Sequence, residues 1–427
     1  MKSFLKRICF LKLRFLARRR LSKMKKMEII GVTGSIGKTT AKDALAHVLS
    51  RSYRVLKSEK SYNTELGLPM TILGVLSPGR SILGWIRLFW RGFHTAFFSE
   101  EQFDFLILEM GVDKPGDMDL LLSVARPDVA VFTSVAPVHL AEGQFRSLKD
   151  VYHEKSKLPL AVHEKGLIFM NADNEFLRSS GFKSAAKTVW YGTDPTDKLF
   201  ADNIHSTRDG ISFRVHYGEL AGEIFVPILG EHHISSILPA IGCALLKGMY
   251  LHDIAEALKT FQLPAGRLNL IAGIRESSII DSSYNASPAA VKMALHVLKS
   301  IARKDERKIF VLGNMNELGH HTEQSHLDIA PLIDGSVDVF VTVGESARKA
   351  AEEALRQGIL PANAVHSFVN VMVARDFLKG ILQKNDIVLV KGSQNKVRLE
   401  KLVKYVMAEP ELANQLLVRQ EETWKDA

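Results

Sequence analysis

Ten residues, Gly31-Val32-Thr33-Gly34-Ser35-Ile36-Gly37-Lys38-Thr39-Thr40, join a strand-like run to a helical one, and that placement constrains the whole fold. Upstream, residues 27–33 (MEIIGVT) read as a buried strand; downstream, Ala41, Ala44, Leu45, Val48 and Leu49 fall on one helical face. A turn of this kind presents backbone N–H groups to phosphate oxygens, and the N-terminus of the next helix adds positive potential. Lys38 can reach the terminal phosphates, and the Thr39 hydroxyl suits Mg²⁺. Gly34, Ser35, Ile36, Gly37, Lys38, Thr39 and Thr40 are the expected ATP cradle. Val32 stands where the general G-x-x-x-x-G-K pattern has its first glycine, yet Gly-Lys-Thr-Thr in a strand-to-helix setting still points to ATP.

The same alternation continues along the chain. Apolar strands are expected at 105–111, 128–135, 166–171, 278–283, 308–314, 337–344 and 386–392, most of them separated by helical patterns. That order implies an α/β fold with mostly parallel sheets. Between Val189 and Ile228 the rhythm shortens, as in ISFRVHYGEL, and reads as an antiparallel edge. A chain of 427 residues is too long for one core, and the break at Gln262-Leu263-Pro264-Ala265-Gly266 divides it. The expected organisation is a leader at 1–27, a P-loop central domain at 28–262 and a Rossmann-like C-terminal domain at 263–427.

Charge is distributed unevenly. The net charge is +9, but residues 1–27 contain 11 Lys or Arg and no acid, which leaves 45 basic against 47 acidic residues in the body. The leader interleaves these cations with Phe4, Leu5, Ile8, Phe10, Leu11, Leu13, Phe15 and Leu16, and has no unbroken apolar run that would make a secretory signal. It reads as a solvated tail, as a segment attracted to an anionic membrane surface, or as a transit peptide or nucleic-acid arm. A second amphipathic stretch, 80–98, sets Arg80, Gly84, Arg87, Arg91 and His94 in a narrow stripe beside Trp85, Phe89, Trp90, Phe93, Phe97 and Phe98. It suits a packing helix, an interfacial one or one that fits a partner's groove. No stretch of about 18 residues is free of charge, so spanning helices are excluded. Two cysteines, Cys9 and Cys243, fit a reducing compartment, and the expected location is cytoplasmic, peripheral at the inner membrane face. Nucleic acid is not an expected partner.

Mg²⁺ selects oxygen donors, which α/β sheets offer at their strand ends. Glu109 ends the run FLILE, one crossover after the nucleotide loop, and His139 lies in the loop after DVAVFTSV.

Eight fragments in order, TGSIGKTT, SYNTELGLP (61–69), LEMG (108–111), PDVAVFTSVAPVHL (127–140), GRLNLI (266–271), DSSYNASP (281–288), LGNMNELG (312–319) and LVKGS (389–393), make the chain resemble the Mur ligases. Within that family it is most similar to the activity that adds D-alanyl-D-alanine to a muramoyl-tripeptide. The resemblance implies an ATP-dependent amide ligase of peptidoglycan precursor synthesis, acting through an acyl phosphate. It implies Thr39 and Glu109 as ligands of a first Mg²⁺ and His139 of a second. Lys38 and His139 enter as catalytic groups with Lys155, which matches a lysine carbamylated in many relatives; Lys157 lies close enough to be the alternative. It further implies Arg267 on the nucleotide phosphates, Asp281 on the ribose, Ser61, Asn63 and Thr64 near the substrate, a monomer, and closure of the second domain over the nucleotide.

Two departures from the family pattern stand out. The pattern G-x-H-N-x-x-N is here Gly230-Glu231-His232-His233-Ile234-Ser235-Ser236, so Ser236 replaces an adenine-contacting Asn. About thirty residues precede the loop, where relatives carry a domain that holds UDP. A folylpolyglutamate synthase-like ligase, a ligase with a membrane-held acceptor, and a membrane-peripheral ATPase or adaptor are the other expectations.

Overall fold

The computed structural model describes residues 2–58, 65–79, 81–137, 143–394, 397–420 and 424. The chain forms two compact units, the first comprising residues 1–204, 212–225 and 233–261, the second 205–211, 226–232 and 262–427.

The first unit opens with helix α1 (Lys2–Lys23), strand β1 (Glu28–Thr33), α2 (Lys38–Leu49), β2 (Val55–Lys57), α3 (Gly67–Leu73) and α4 (Ile82–Phe98). It continues through β3 (Phe105–Glu109), α5 (Asp117–Val124), β4 (Val129–Phe132), α6 (Leu148–Leu160), β5 (Leu167–Asn171), α7 (Glu175–Ser179) and β6 (Lys187–Gly192). Strands β7 (Leu199–Ser206), β8 (Ile211–Tyr217) and β9 (Leu220–Val226) follow, then α8 (Ile234–Leu246) and α9 (Leu251–Leu258). The nine strands lie in the order β2-β3-β1-β4-β5-β6-β7-β8-β9. Strands β3, β4 and β5 are buried along their whole length. Covered on both faces, they need continuous apolar runs rather than alternation, which is what the sequence supplies.

Strand β1 pairs in parallel with β3 and β4, with Val32 opposite Glu109 and Thr33 opposite Phe132. The C-terminal ends of three neighbouring strands therefore meet, and the loops that leave them share one edge of the sheet. The antiparallel segment starts later than the sequence suggests. Strand β6 pairs in parallel with β5, and β7 in parallel with β6. Only beyond Ser206, where residues 207–210 and then Gly218 and Glu219 make the connections, are the links those of antiparallel hairpins.

Residues 1–27, expected as a leader, belong to the first unit. Phe10, Leu13, Leu16 and Ala17 of α1 are buried at three- and four-residue spacing against α3 and α4. Such burial contributes on the order of 1.5–3 kcal/mol for each large side chain. Arg20, only 4% exposed, donates to the Ile72 carbonyl at 2.6 Å and pairs with Glu101 at 3.0 Å. Lys23 donates to the carbonyls of Phe97 and Ser99, both at 3.0 Å, at the C-terminus of α4, where the helix dipole favours a cation.

The second unit contains β10 (Asn269–Ala272), β11 (Ser278–Ser282), α10 (Pro288–Ile301), β12 (Arg307–Gly313), α11 (Thr322–Leu327), β13 (Val339–Val343) and α12 (Glu345–Arg356). It ends with β14 (Val365–Phe368), α13 (Val371–Ile381), β15 (Asp386–Lys391), α14 (Glu400–Val406) and α15 (Ala413–Leu416). Its sheet runs β10-β11-β15-β12-β13-β14. Strands β11 to β14 pair in parallel and β10 antiparallel, with apolar clusters on both faces.

Candidate nucleotide site

The loop between β1 and α2 is held from below by the segment after β4. The Ser35 amide donates to the Ser134 carbonyl at 2.8 Å, the Ile36 amide to Ser134 Oγ at 2.9 Å, and Thr133 Oγ1 to the Ile36 carbonyl at 2.6 Å. Two glycines are sterically required. At Gly34 (φ +145°) a Cβ would lie 2.0 Å from Thr133 Oγ1, and at Gly37 (φ +85°) 2.6 Å from Ser236 Oγ. Gly37 caps α2, whose first turn has no acidic residue, so its amides offer an unopposed positive end. Lys38 Nζ folds back to the carbonyls of Gly34 and Ser35 at 2.8 and 3.2 Å. Thr39 and Thr40 are buried beneath the loop. Ser236, which stands in place of an adenine-contacting Asn of the family pattern, sits at the start of α8 directly against Gly37.

Glu109 closes β3 beside this loop. It is 3% exposed, and its Oε2 has no hydrogen-bond partner among the described residues. A buried carboxylate oxygen left unpaired is costly unless something else binds it. The Glu109 carboxylate and the Thr39 hydroxyl are both hard oxygen donors of the kind that Mg²⁺ takes. Lys155, from α6, is 1% exposed. Burial holds its amine well below the usual lysine range, and the Lys38 charge lowers it further, while Asp113, Glu154 and Glu109 act in the opposite sense. Lys38, Glu109, Asp113 and Lys155 thus share one electrostatic environment.

The neighbouring lysine points elsewhere. Lys157 pairs with Asp119 at 2.7 Å and Glu154 at 2.8 Å and is a surface group. Glu154 in turn accepts from the amides of Gly116 and Met118 at 3.0 and 2.8 Å, fastening α6 to the start of α5. Helix α6 starts at an Ser147 cap, and one helical step turns Lys155 inward where Lys157 faces out. Ser61, Asn63, Thr64, Arg80 and His139 lie outside the described residues. Among the described residues, no three His, Cys, Asp or Glu side chains converge as a metal cluster.

In the second unit, Asp281 is fully buried on β11. Its Oδ1 accepts from the Ser283 amide at 3.0 Å and its Oδ2 is unpartnered among the described residues. Burial pushes its carboxyl up to about 6 against that hydrogen bond. Lys391, 4% exposed, donates to the Asn285 carbonyl and is lowered to about 7 by burial and then by Arg267, against Asp281. The Arg267 guanidinium lies 4.5 Å from the Tyr284 ring centroid. His232 is lowered to about 4 by burial and then by Lys391. Sequence reasoning overlooked Lys391 and Asp113. A lysine inside the otherwise apolar DIVLVKG and an acid four residues past Glu109 were the available signals.

A phosphate loop at the edge of a parallel sheet, with a buried lysine and an unpaired carboxylate beside it, defines a P-loop nucleotide-dependent enzyme of the α/β class. Residues 32–82 and 92–244 match the Mur ligase middle domain, and residues 266–394 match the Mur ligase, glutamate ligase domain. The UDP-N-acetylmuramoyl-tripeptide–D-alanyl-D-alanine ligase of Bacillus subtilis is 28% identical over 383 residues, 90% of this chain and 76% of that one. The enzyme of the same name from Mycobacterium tuberculosis (strain CDC 1551 / Oshkosh) is 31% identical over 388 residues, 86% and 70% of the two chains. The crystal structure of MurF from Acinetobacter baumannii is similar with a TM-score of 0.76 at 26% identity, covering 92% of this chain and 79% of that one. The chain belongs to the Mur ligase family and is an ATP-dependent amide ligase.

Proposed function

We propose that this ligase adds D-alanyl-D-alanine to a muramoyl-tripeptide during peptidoglycan precursor synthesis. The supporting observation is the buried Lys155, whose amine feels the charges of Lys38 and Glu109, with Glu109 ending the strand next to the one that leads into the phosphate loop, in a chain similar to two enzymes of that name. The acceptor carboxylate attacks the γ-phosphorus of ATP and ADP departs; the dipeptide amine then attacks the acyl carbon and phosphate leaves, with the amine proton lost. Amides at the start of α2 and Lys38 stabilise negative charge on the transferred group. Thr39 and Glu109 would hold Mg²⁺, with His139 assigned to a second ion; the metal would supply charge neutralisation on the phosphate oxygens.

Lys155 is assigned to carbamylation. The reaction needs the free amine, which adds to CO₂ to give a carbamate with release of one proton. Burial of Lys155 favours that neutral amine. Arg267 is assigned to the nucleotide phosphates, Asp281 to the ribose, Ser236 to the loop end, and Ser61, Asn63 and Thr64 to the acceptor. The enzyme works as a cytoplasmic monomer, peripheral at the inner face of the membrane.

The test is ADP release measured over UDP-muramoyl-peptides and D-alanyl-D-alanine, with mass spectrometry of the product. ADP formed only when carboxylate and amine are both present, with the product mass of the joined peptide, is the expected result. ADP formation indifferent to both would make the chain an ATPase and overturn the reading.

A further inference from the structure

Helices α1 and α4 carry eight of the eighteen exposed large apolar side chains among the described residues, a concentration that the nucleotide chemistry does not use. Helix α4 has two apolar faces. Leu88, Gly92 and Ala96 are buried toward α1 and α3. At 100° per residue, Ile82, Leu83, Ile86, Trp90 and Phe93 occupy an arc of about 100° whose centre is turned about 130° from that core face. All five are exposed, Ile82 by 78%, Leu83 by 77% and Trp90 by 68%. Arg87, Arg91 and His94 border this arc on one side and are exposed. The match to the family's middle domain leaves out residues 83–91, most of this face.

The exposed side of α1 continues the surface. Leu11 and Phe15 are 44% and 62% exposed, among the exposed cations Lys6, Arg7, Lys12, Arg18 and Arg19. Leu11, Lys12, Phe15 and Leu16 meet Phe89 and Phe93 across a groove of about 450 Å³. Lys12 Nζ stands 6.0 Å from the Phe89 ring centroid.

We propose that this combined α1/α4 face docks on an anionic lipid bilayer surface, with the apolar arc of α4 and Phe15 below headgroup level and the α1 cations among the lipid phosphates. Charge selects this occupant. Residues 1–27 have 11 Lys or Arg and no acid, and α4 has no Asp or Glu. Two copies meeting through this face would set cations against cations. Protein interface cores are poor in Lys, whereas interfacial helices place Trp, Lys and Arg at headgroup depth. Among the described residues no helix is long and apolar enough to cross a membrane, so α4 would lie on the bilayer. The proposal deepens the peripheral location proposed above and is independent of the ligase chemistry.

The experiment is flotation of the full chain, without nucleotide, on vesicles of phosphatidylcholine alone or of phosphatidylcholine and phosphatidylglycerol in equal parts. The chain should float with the mixed vesicles, at least about tenfold more than with phosphatidylcholine, and high salt should weaken it. The double variant Ile86→Ser, Trp90→Ser and, separately, Arg18→Glu with Arg19→Glu should each lose about tenfold or more of the bound fraction. Circular dichroism and ADP release unchanged from the parent show that each variant is folded. Absence of flotation on anionic vesicles, equal flotation of the Ile86→Ser, Trp90→Ser variant, or a dimer by light scattering that the same pair dissociates would each overturn the proposal. A chain that floats without ligating, or ligates without floating, separates this inference from the catalytic one.

Discussion

The strand-end site and the α1/α4 face break the same rule in opposite directions. At the site, charged groups are inside: Lys155 is 1% exposed and Glu109 is 3% exposed. On the face, large apolar groups are outside, with Trp90 at 68% and Ile82 at 78%. A buried amine costs desolvation unless it is neutral or paired, and an exposed Trp forfeits burial that a folded chain ordinarily obtains. Each departure is uneconomical for folding alone, and each marks a surface shaped for something outside the chain. The partners proposed for them are anions and a divalent cation at the site and lipid at the face.

Substitutions that act on one region and spare the other sharpen this contrast. The largest effect is expected for Lys38→Ala, which should lower ADP release about a thousandfold or more while flotation is unchanged. Loss of both would join the two regions functionally. Next, Lys155→Ala should lose on the order of a hundredfold in turnover, with partial recovery when short carboxylates such as formate are added. Lys157→Ala should stay within about 1 kcal/mol in stability and close to parent in activity, because Lys157 is at the surface and Glu154 keeps its two amide hydrogen bonds. An inverted result for the two lysines would place the wrong residue in the site.

The smallest effect concerns pH. The folded Asp281 carboxyl is raised to about 6 from 3.8, so the native state binds the proton more tightly than the unfolded chain. Its contribution to stability is therefore present below 3.8 and lost as pH rises through about 6. Asp281→Asn should flatten the stability profile in that window, measured by urea unfolding, and an unchanged slope would mean that the carboxyl is not desolvated.

The parallel core was readable because β1, β3, β4 and β5 are covered on both faces, which requires the unbroken apolar runs that the sequence displays. The phosphate loop was readable because its constraint is local, set by Gly34, Gly37 and Lys38. Strand β2 was not, being three residues that are half-buried or exposed. Helix α1 was misread as a separable leader because its cations mask a core stripe that becomes visible only with α3 and α4, whose hydrogen bonds with it span 52 to 76 residues of chain. Lys155 and Lys157 lie in one polar helix, and only the placement of Glu154 against α5 tells inward from outward.

The anchoring of Arg20 and Lys23 on α3 and α4 has a practical corollary for engineering. Trimming residues 1–26 would not shave off a tail. It would strip one wall from Leu68, Leu73 and Leu88 and leave the Ile72 carbonyl without its guanidinium. Shortened proteins should therefore fail by aggregation before any change in lipid affinity could register, and single-residue replacement is the cleaner way to dissect this end of the molecule.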